Sequence, residues 1–242
     1  MELDQKGCIV DTVHMSNRRI VLLGALMLVA ALAVGAVFLL GGDAPGTGTP
    51  SERILVVVDA GHGGRDPGAV YDGVEEADVN LAVMQRVAAL IEADDRLTVR
   101  MTRALDVYVS LEDRIAVAND AGADLYLSIQ SNACGYLDVT GIETLVSDQL
   151  DPGAPSWQFA EVLQDAVTDA TGARDRGVRS QDLYLHRATM PAALIEVGFL
   201  SNDAERARLL DPSYRGIVAE AIHRGIVAYL EYARPDFPPD TS

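Results

Sequence analysis

The chain has 242 residues, with 19 lysines and arginines against 36 aspartates and glutamates, which gives a formal net charge of −17 at pH 7. Hydrophobic residues make up 49% of the chain, so the composition excludes an intrinsically disordered acidic protein. Two cysteines in this length exclude a disulfide-rich scaffold. The strong negative charge argues against nonspecific nucleic-acid binding, because the chain would repel phosphate backbones.

An apolar segment near the N-terminus, residues 20–40, contains no charged residue. As a helix it would extend roughly 30 Å, one hydrocarbon thickness, and it exceeds the apolar region of about 7–15 residues in a cleaved signal peptide. We therefore predict one uncleaved transmembrane helix at residues 20–41, with cleavage and secretion as the alternative. Arg18 and Arg19 precede this segment, so the positive-inside rule places residues 1–19 in the cytoplasm and the later residues outside the cell.

Beyond the apolar segment, the composition indicates a single domain between two irregular segments. Residues 42–51 are rich in glycine, proline and threonine, which is typical of a flexible linker. Residues 52–234 contain no internal repeat and are expected to fold as one domain. Residues 235–242 contain three prolines and are predicted to form a disordered tail.

Within this domain, predicted strands alternate with predicted helices. Short apolar runs typical of buried strands occur at residues 54–58, 97–101, 125–129, 142–146 and 192–195. Apolar residues at helical spacing occur at residues 78–92, 111–121, 157–170 and 214–232. Ser110 and Asp113 stand in the positions of a helix capping box. The alternation predicts the α/β class: a single three-layer α/β/α domain with a mostly parallel twisted sheet.

Polar residues follow three of the predicted strands. Asp59 and His62 follow the first strand, Gln130 and Asn132 follow the third, and Glu196 follows the last. Ligand sites in open parallel sheets lie beyond the carboxyl ends of the strands. We therefore expect these side chains to converge on one edge of the sheet.

Two kinds of residue in this set favour a catalytic site. His62 lies in a glycine-rich turn that leaves it few packing partners and lets backbone approach a ligand, which favours a metal-binding or acid/base role. Glu196 directly follows an apolar strand, where an acid needs a partner or a task, and is a candidate general base. For Glu75 and Glu76, the spacing leaves two roles open: favourable charges at a helix N-terminus, or a carboxylate metal ligand.

Sequence motifs in a fixed order run through the domain, from Ile54 to about Tyr232. They include VDAGHGGRDPGA at 58–69, EADVNL at 76–81, SIQSNA at 128–133, GIE at 141–143 and MPAALIEVGFLSN at 190–202. Together they resemble the zinc-dependent N-acetylmuramoyl-L-alanine amidases. The resemblance implies hydrolysis of the amide between the lactyl group of muramic acid and L-alanine in peptidoglycan.

The resemblance also implies the residues of the site. His62, Glu76 and the residue at position 130 would hold Zn²⁺, and Glu196 would be the catalytic acid/base. This chain departs from the family at the third ligand, because Gln130 stands where the family has histidine. An amide oxygen is a poorer zinc ligand than an imidazole nitrogen. Three outcomes are open: Gln130 binds zinc weakly, His186 replaces it, or the metal is lost.

The sequence therefore predicts a zinc amidase of the cell membrane, with its catalytic domain outside the cell and peptidoglycan as its substrate. The alternative is a catalytically impaired pseudo-amidase that binds envelope glycopeptide or regulates a partner. The two hypotheses differ in what Gln130 does to the metal site.

Overall fold

A six-stranded sheet forms the centre of the structure, a computed structural model that describes residues 53–238. Its strands are β1 (Ile54–Ala60), β4 (Leu97–Met101), β5 (Leu125–Asn132), β6 (Ile142–Ser147), β7 (Asp175–Gln181) and β8 (Ala192–Phe199). A separate hairpin pairs β2 (Val70–Tyr71) with β3 (Val74–Glu75). The helices are α1 (Glu76–Ala93), α2 (Leu111–Ala121), α3 (Pro155–Thr171), α4 (Asp203–Leu210) and α5 (Pro212–Ala233), with a 3₁₀ helix at Tyr184–Arg187.

The strand order in the sheet is β4-β1-β5-β8-β6-β7. Neighbouring strands run parallel throughout, except that β6 runs antiparallel to β8. The prediction of a mostly parallel sheet is confirmed. Because β6 is reversed, its first residues lie at the same edge of the sheet as the last residues of β5 and β8.

Helices cover both faces of the sheet, as the buried apolar strands require. On one face α1, α3 and α5 pack through side chains such as Met84, Phe159 and Ile222. On the other face α2 and the 3₁₀ helix pack through Ile115 and Leu185. The second layer is much smaller.

The predicted helices all occur, with ends within about three residues of the prediction. The capping box forms as expected: Ser110 Oγ accepts a bond from the backbone N–H of Asp113 at 3.1 Å and donates to its Oδ2 at 2.8 Å. β7, α4 and the β2–β3 hairpin were not predicted from the sequence. β7 lies at the sheet edge and needs few apolar residues, and of its seven residues only Val178 packs against the core.

The C-terminal segment differs from the prediction of disorder from residue 235. Phe237 is 8% exposed and packs in the main core, and Arg96 lies over its ring with Cζ 4.9 Å from the centroid. Arg96 also donates to the carbonyl of Pro238 at 3.3 Å. The chain is therefore ordered through Pro238.

The predicted transmembrane helix at residues 20–41 and the predicted linker at 42–51 lie outside the described residues. Among residues 53–238, no helix combines the length and apolarity that crossing a membrane requires.

Candidate active site

A row of polar side chains crosses the sheet at the carboxyl ends of β5 and β8. Gln130 of β5 lies opposite Glu196 of β8, and Glu196 lies opposite Glu143 of β6. Residues paired across neighbouring strands point to the same face of a sheet. Gln130 and Glu196 lie in the C-terminal halves of their strands, which extend to Asn132 and Phe199. They are therefore part of the strands and do not lie beyond the strand ends.

His62 and Glu76 meet at the end of this row. His62 has a left-handed backbone, with φ of 61°, which turns its ring toward the start of α1. Its Nε2 lies 3.3 Å from Glu76 Oε2, and its Nδ1 lies 2.9 Å from Asp66 Oδ2. A Cβ at Gly68, whose φ is 66°, would lie 2.6 Å from Glu76 Oε2 and 2.8 Å from His62 Cδ2. Only glycine at position 68 allows the two side chains to meet.

The two adjacent glutamates, Glu75 and Glu76, have different environments. Glu75 is exposed in the hairpin, whereas Glu76 is 6% exposed. The Glu76 carboxylate accepts bonds from the backbone N–H of Ala69 at 3.0 Å and of Ser131 at 3.2 Å. It also accepts one from Asn80 Nδ2 at 3.1 Å. These three donors hold Glu76 in one orientation toward His62, as a ligand role requires.

The charges around His62 favour a cation between the two side chains. Burial lowers the pKa of His62, but hydrogen bonds and charge attraction from Glu76 and Asp66 outweigh this effect and raise the pKa to about 9. The imidazole therefore holds a proton where it faces Glu76. A metal ion that binds at such a place displaces that proton.

Glu196 is the buried acid beside this pair. It is 7% exposed, and its Oε2 is buried without a hydrogen-bond partner among the described residues. Burial, followed by the negative charges of Glu76 and Glu143, raises the pKa of Glu196 well above its ordinary value. A buried polar atom without a partner is rare and marks a site for water, substrate or an ion.

Gln130 lies directly against the glycine-rich loop. A Cβ at Gly61 would lie 2.6 Å from Gln130 Cδ, so the Gln130 side chain packs flat on the backbone next to His62. Within residues 53–238, no group of three His, Cys, Asp or Glu side chains could hold a metal ion. His186 instead lies in the 3₁₀ helix, with Nδ1 2.8 Å from the carbonyl of Leu183. The residue adjacent to the His62–Glu76 pair is therefore the glutamine.

The geometry of this pair fits a metal ion. Two ligand atoms of a tetrahedral zinc, each about 2.0–2.1 Å from the metal, lie roughly 3.3 Å apart. The separation of His62 Nε2 and Glu76 Oε2 is 3.3 Å. The separation of these two positions of the implied ligand set therefore fits zinc.

Two buried arginines, to which the sequence analysis gave no role, hold the loop that carries His62. Arg103 donates to the carbonyls of Ala60 and Gly61 at 2.9 and 3.1 Å. Arg114 donates to the carbonyl of His62 at 2.7 Å and to Asp59 Oδ1 at 2.6 Å. Asp59 is thus a structural anion and does not face the site. The sequence carries one signal for this role. A glycine-rich loop has backbone carbonyls that need hydrogen-bond donors, and arginines able to supply them occur later in the chain, at positions 103 and 114.

An imidazole and a carboxylate aimed at one point, with a buried acid beside them, define a class of site. Hydrolases use such sites to activate water at a metal. The comparisons with known proteins identify the family of hydrolases to which the chain belongs.

The sequence profile of the N-acetylmuramoyl-L-alanine amidase family matches residues 56–228. A crystal structure of an N-acetylmuramoyl-L-alanine amidase from Clostridium difficile 630 is similar, with a TM-score of 0.72 and 32% identity over 75% of this chain and 98% of that one. The catalytic domain of the amidase CwlV from Bacillus (Paenibacillus) polymyxa gives a TM-score of 0.70 and 36% identity over 74% and 98%. The amidase LytC of Bacillus subtilis is 34% identical over 72% of this chain, which spans only 35% of LytC.

The chain belongs to the N-acetylmuramoyl-L-alanine amidase family. The amidase function predicted from the sequence is supported by the family match and by these relatives. The alternative of a domain that binds without cleaving is not favoured by them.

Proposed function

We propose that this chain is a zinc-dependent N-acetylmuramoyl-L-alanine amidase whose ion is held by His62, Glu76 and, more weakly, Gln130. The observation that carries this proposal is the 3.3 Å approach of His62 Nε2 to Glu76 Oε2, beside the buried and unpartnered Oε2 of Glu196. Neither the imidazole–carboxylate pair nor the orphan oxygen serves the packing of the sheet.

The chain's own residues prepare the metal site in three ways. Asp66 accepts a hydrogen bond from His62 Nδ1, which fixes the ring so that Nε2 faces the site. The three donors around Glu76 fix its carboxylate. Gln130 offers an amide oxygen, a neutral and weaker donor than imidazole. Zinc, when bound, polarises a carbonyl and lowers the pKa of water toward about 7.

Glu196 moves the proton in this proposal. Its buried carboxyl has a raised pKa, so it can accept a proton from the attacking water and return it to the departing nitrogen of L-alanine. The opposing Gln130 and Glu143 hold it in the row of polar residues at the sheet edge. No other described acid lies in this row with an unpartnered oxygen.

We further propose that the enzyme is anchored in the cell membrane by residues 20–41, with its catalytic domain outside the cell. The support is the uncharged apolar segment and the arginines that precede it. Peptidoglycan lies on that side of the membrane, so the topology agrees with the substrate.

The test uses the full chain in detergent, with purified peptidoglycan as substrate. We expect new L-alanine N-termini and no new reducing sugar ends, loss of activity on chelation, and its return with zinc. His62→Ala should lower the bound zinc, measured by mass spectrometry, and abolish product. His223→Ala is the matched control, since His223 lies on α5 with its Nε2 3.5 Å from Asp94 Oδ2, away from the site.

A fully active chain with less than about a tenth equivalent of metal would contradict the zinc proposal. A His186→Ala variant separates the ligand alternatives. If that variant loses zinc as His62→Ala does, the third ligand is His186 and not Gln130.

A further inference from the structure

An arginine of the edge strand β7 faces the same side of the sheet as the catalytic row. Arg179 lies opposite Leu145 of β6, and Glu143 precedes Leu145 by two residues. Since alternate residues of a strand share a face, Arg179 and Glu143 point to the same side. Glu143 in turn lies opposite Glu196. Arg179 therefore lies two strands away from the proposed catalytic acid, with Glu143 on the strand between them.

The negative charge of Glu143 is already neutralised without Arg179. Arg176 Nε donates to Glu143 Oε2 at 2.8 Å, and both side chains are buried. Asn132 Nδ2 donates to the other carboxylate oxygen at 2.8 Å. The Glu143–Arg176 pair is thus complete as a buried ion pair.

Arg179 makes only peripheral contacts with this pair. Its Nε lies 3.6 Å from Glu143 Oε2 and 3.5 Å from the carbonyl of Arg176. Within the described part of the chain, the two terminal nitrogens of Arg179 have no hydrogen-bond partner, and the side chain is 37% exposed. A guanidinium fork therefore points toward solvent at the end of the catalytic row, on a chain whose net charge is −17.

We infer that Arg179 binds a carboxylate of the stem peptide, on the L-alanine side of the bond that is cut. This inference rests on the proposed amidase function and adds a residue that determines which peptides are preferred. A guanidinium matches a carboxylate with two parallel hydrogen bonds, a geometry that lysine cannot reproduce.

The reach of the substrate agrees with the second residue of the stem peptide. The Glu143 carboxylate belongs to the strand next to that of Glu196, roughly 4.8 Å away. The Arg179 guanidinium lies beyond it, with Nε 3.6 Å from Glu143 Oε2. An extended peptide advances about 3.3–3.6 Å per residue. A carboxylate about two residues beyond the cut amide would therefore meet Arg179. In peptidoglycan this is the α-carboxylate of the γ-linked glutamate, which is either free or amidated.

The experiment compares two substrates that differ only in this group: N-acetylmuramoyl-L-alanyl-D-glutamate and its D-isoglutamine counterpart, in which the α-carboxylate is amidated. We expect the full chain to prefer the free acid by about tenfold in kcat/KM, mainly through KM. Arg179→Gln should remove the preference and leave the rate on the amidated substrate unchanged. Arg179→Lys should keep part of it. Arg174→Gln is the matched control, an exposed arginine just before β7, and should keep the preference.

Two results would overturn the inference. One is a preference that survives in Arg179→Gln, and the other is an equal loss on both substrates, which would indicate a structural role. If the wild-type chain cleaves neither compound, the amidase proposal fails, and calorimetric binding of the same two ligands still decides the role of Arg179. In that case, binding of the acid that is no tighter than that of the amide contradicts the inference.

Discussion

Two neighbouring regions of the molecule differ in whether a buried carboxylate has hydrogen-bond partners for its oxygens. Behind the glycine-rich loop, Asp59 accepts bonds from Arg114, Ser128 and Thr102 at 2.5–2.7 Å. At the sheet edge, Glu196 is also buried, yet its Oε2 has no partner among residues 53–238. In the first region the protein itself supplies every hydrogen bond that the buried carboxylate needs. In the second region, a ligand would have to supply the partner of Glu196 Oε2.

The comparison separates residues that maintain the fold from residues that react. A buried charge costs free energy unless hydrogen bonds compensate it, so an uncompensated carboxylate persists only where it has a use. Burial and the nearby negative charges raise the pKa of Glu196, while three hydrogen bonds satisfy Asp59.

The largest effect is expected at Glu196. Glu196→Gln keeps the size of the side chain but removes the proton acceptor, so we expect kcat to fall by about 10²- to 10⁴-fold. The free energy of unfolding should not decrease, because a buried carboxyl without a partner is replaced by a neutral amide. Release of L-alanine N-termini and thermal unfolding measure the two effects. A variant that keeps most of its activity would remove Glu196 from the mechanism.

The second largest effect is expected in the region around Asp59. Arg114→Met leaves Asp59 buried without its ionic partner, and breaking such a pair costs about 3–5 kcal/mol of stability. Denaturant unfolding should show this loss, and the double variant Asp59→Leu/Arg114→Met should lose less than the sum of the single variants. Additive losses would indicate that the two side chains do not act as a pair.

The smallest effect is expected from a substitution that adds a third strong ligand to the proposed metal site. Gln130→His places an imidazole next to His62, and we expect zinc affinity to rise by about 10- to 100-fold, a range typical of changes around a metal. Competition with a chromogenic chelator measures it, and Gln149→His on the surface is the control. An unchanged affinity would show that position 130 does not contact the ion.

Much of the fold could be predicted because its buried strands and amphipathic helices have clear periodicities. The reversed direction of β6 could not be predicted, since a short apolar run has no sign of direction. The edge strand β7 escaped because only Val178 needed to be apolar. Phe237 was assigned to a disordered tail because its neighbours are prolines, although a single aromatic side chain anchors the segment in the core.

The candidate site was predicted in its residues but not in its support. His62, Glu76, Gln130 and Glu196 were named from the sequence, and the structure brings the first two into contact and the last two into register. The choice between Glu75 and Glu76 depended on which one the hairpin exposes, a property of the turn. The partly exposed guanidinium of Arg179 could not be predicted, because it depends on Arg176 being the closer partner of Glu143, and only the packing of β7 reveals that.

The reversed strand β6 has a practical consequence for engineering. It begins at the catalytic edge and ends at Ser147 on the opposite edge, where Ser156 Oγ accepts a bond from the first N–H of β8, that of Ala192, at 3.0 Å. The loop at residues 148–154 therefore lies most of the length of β6 away from Glu196, which pairs with Glu143 near the start of that strand. A fluorophore or affinity tag grafted there would report on the enzyme without crowding the wall polymer that it binds.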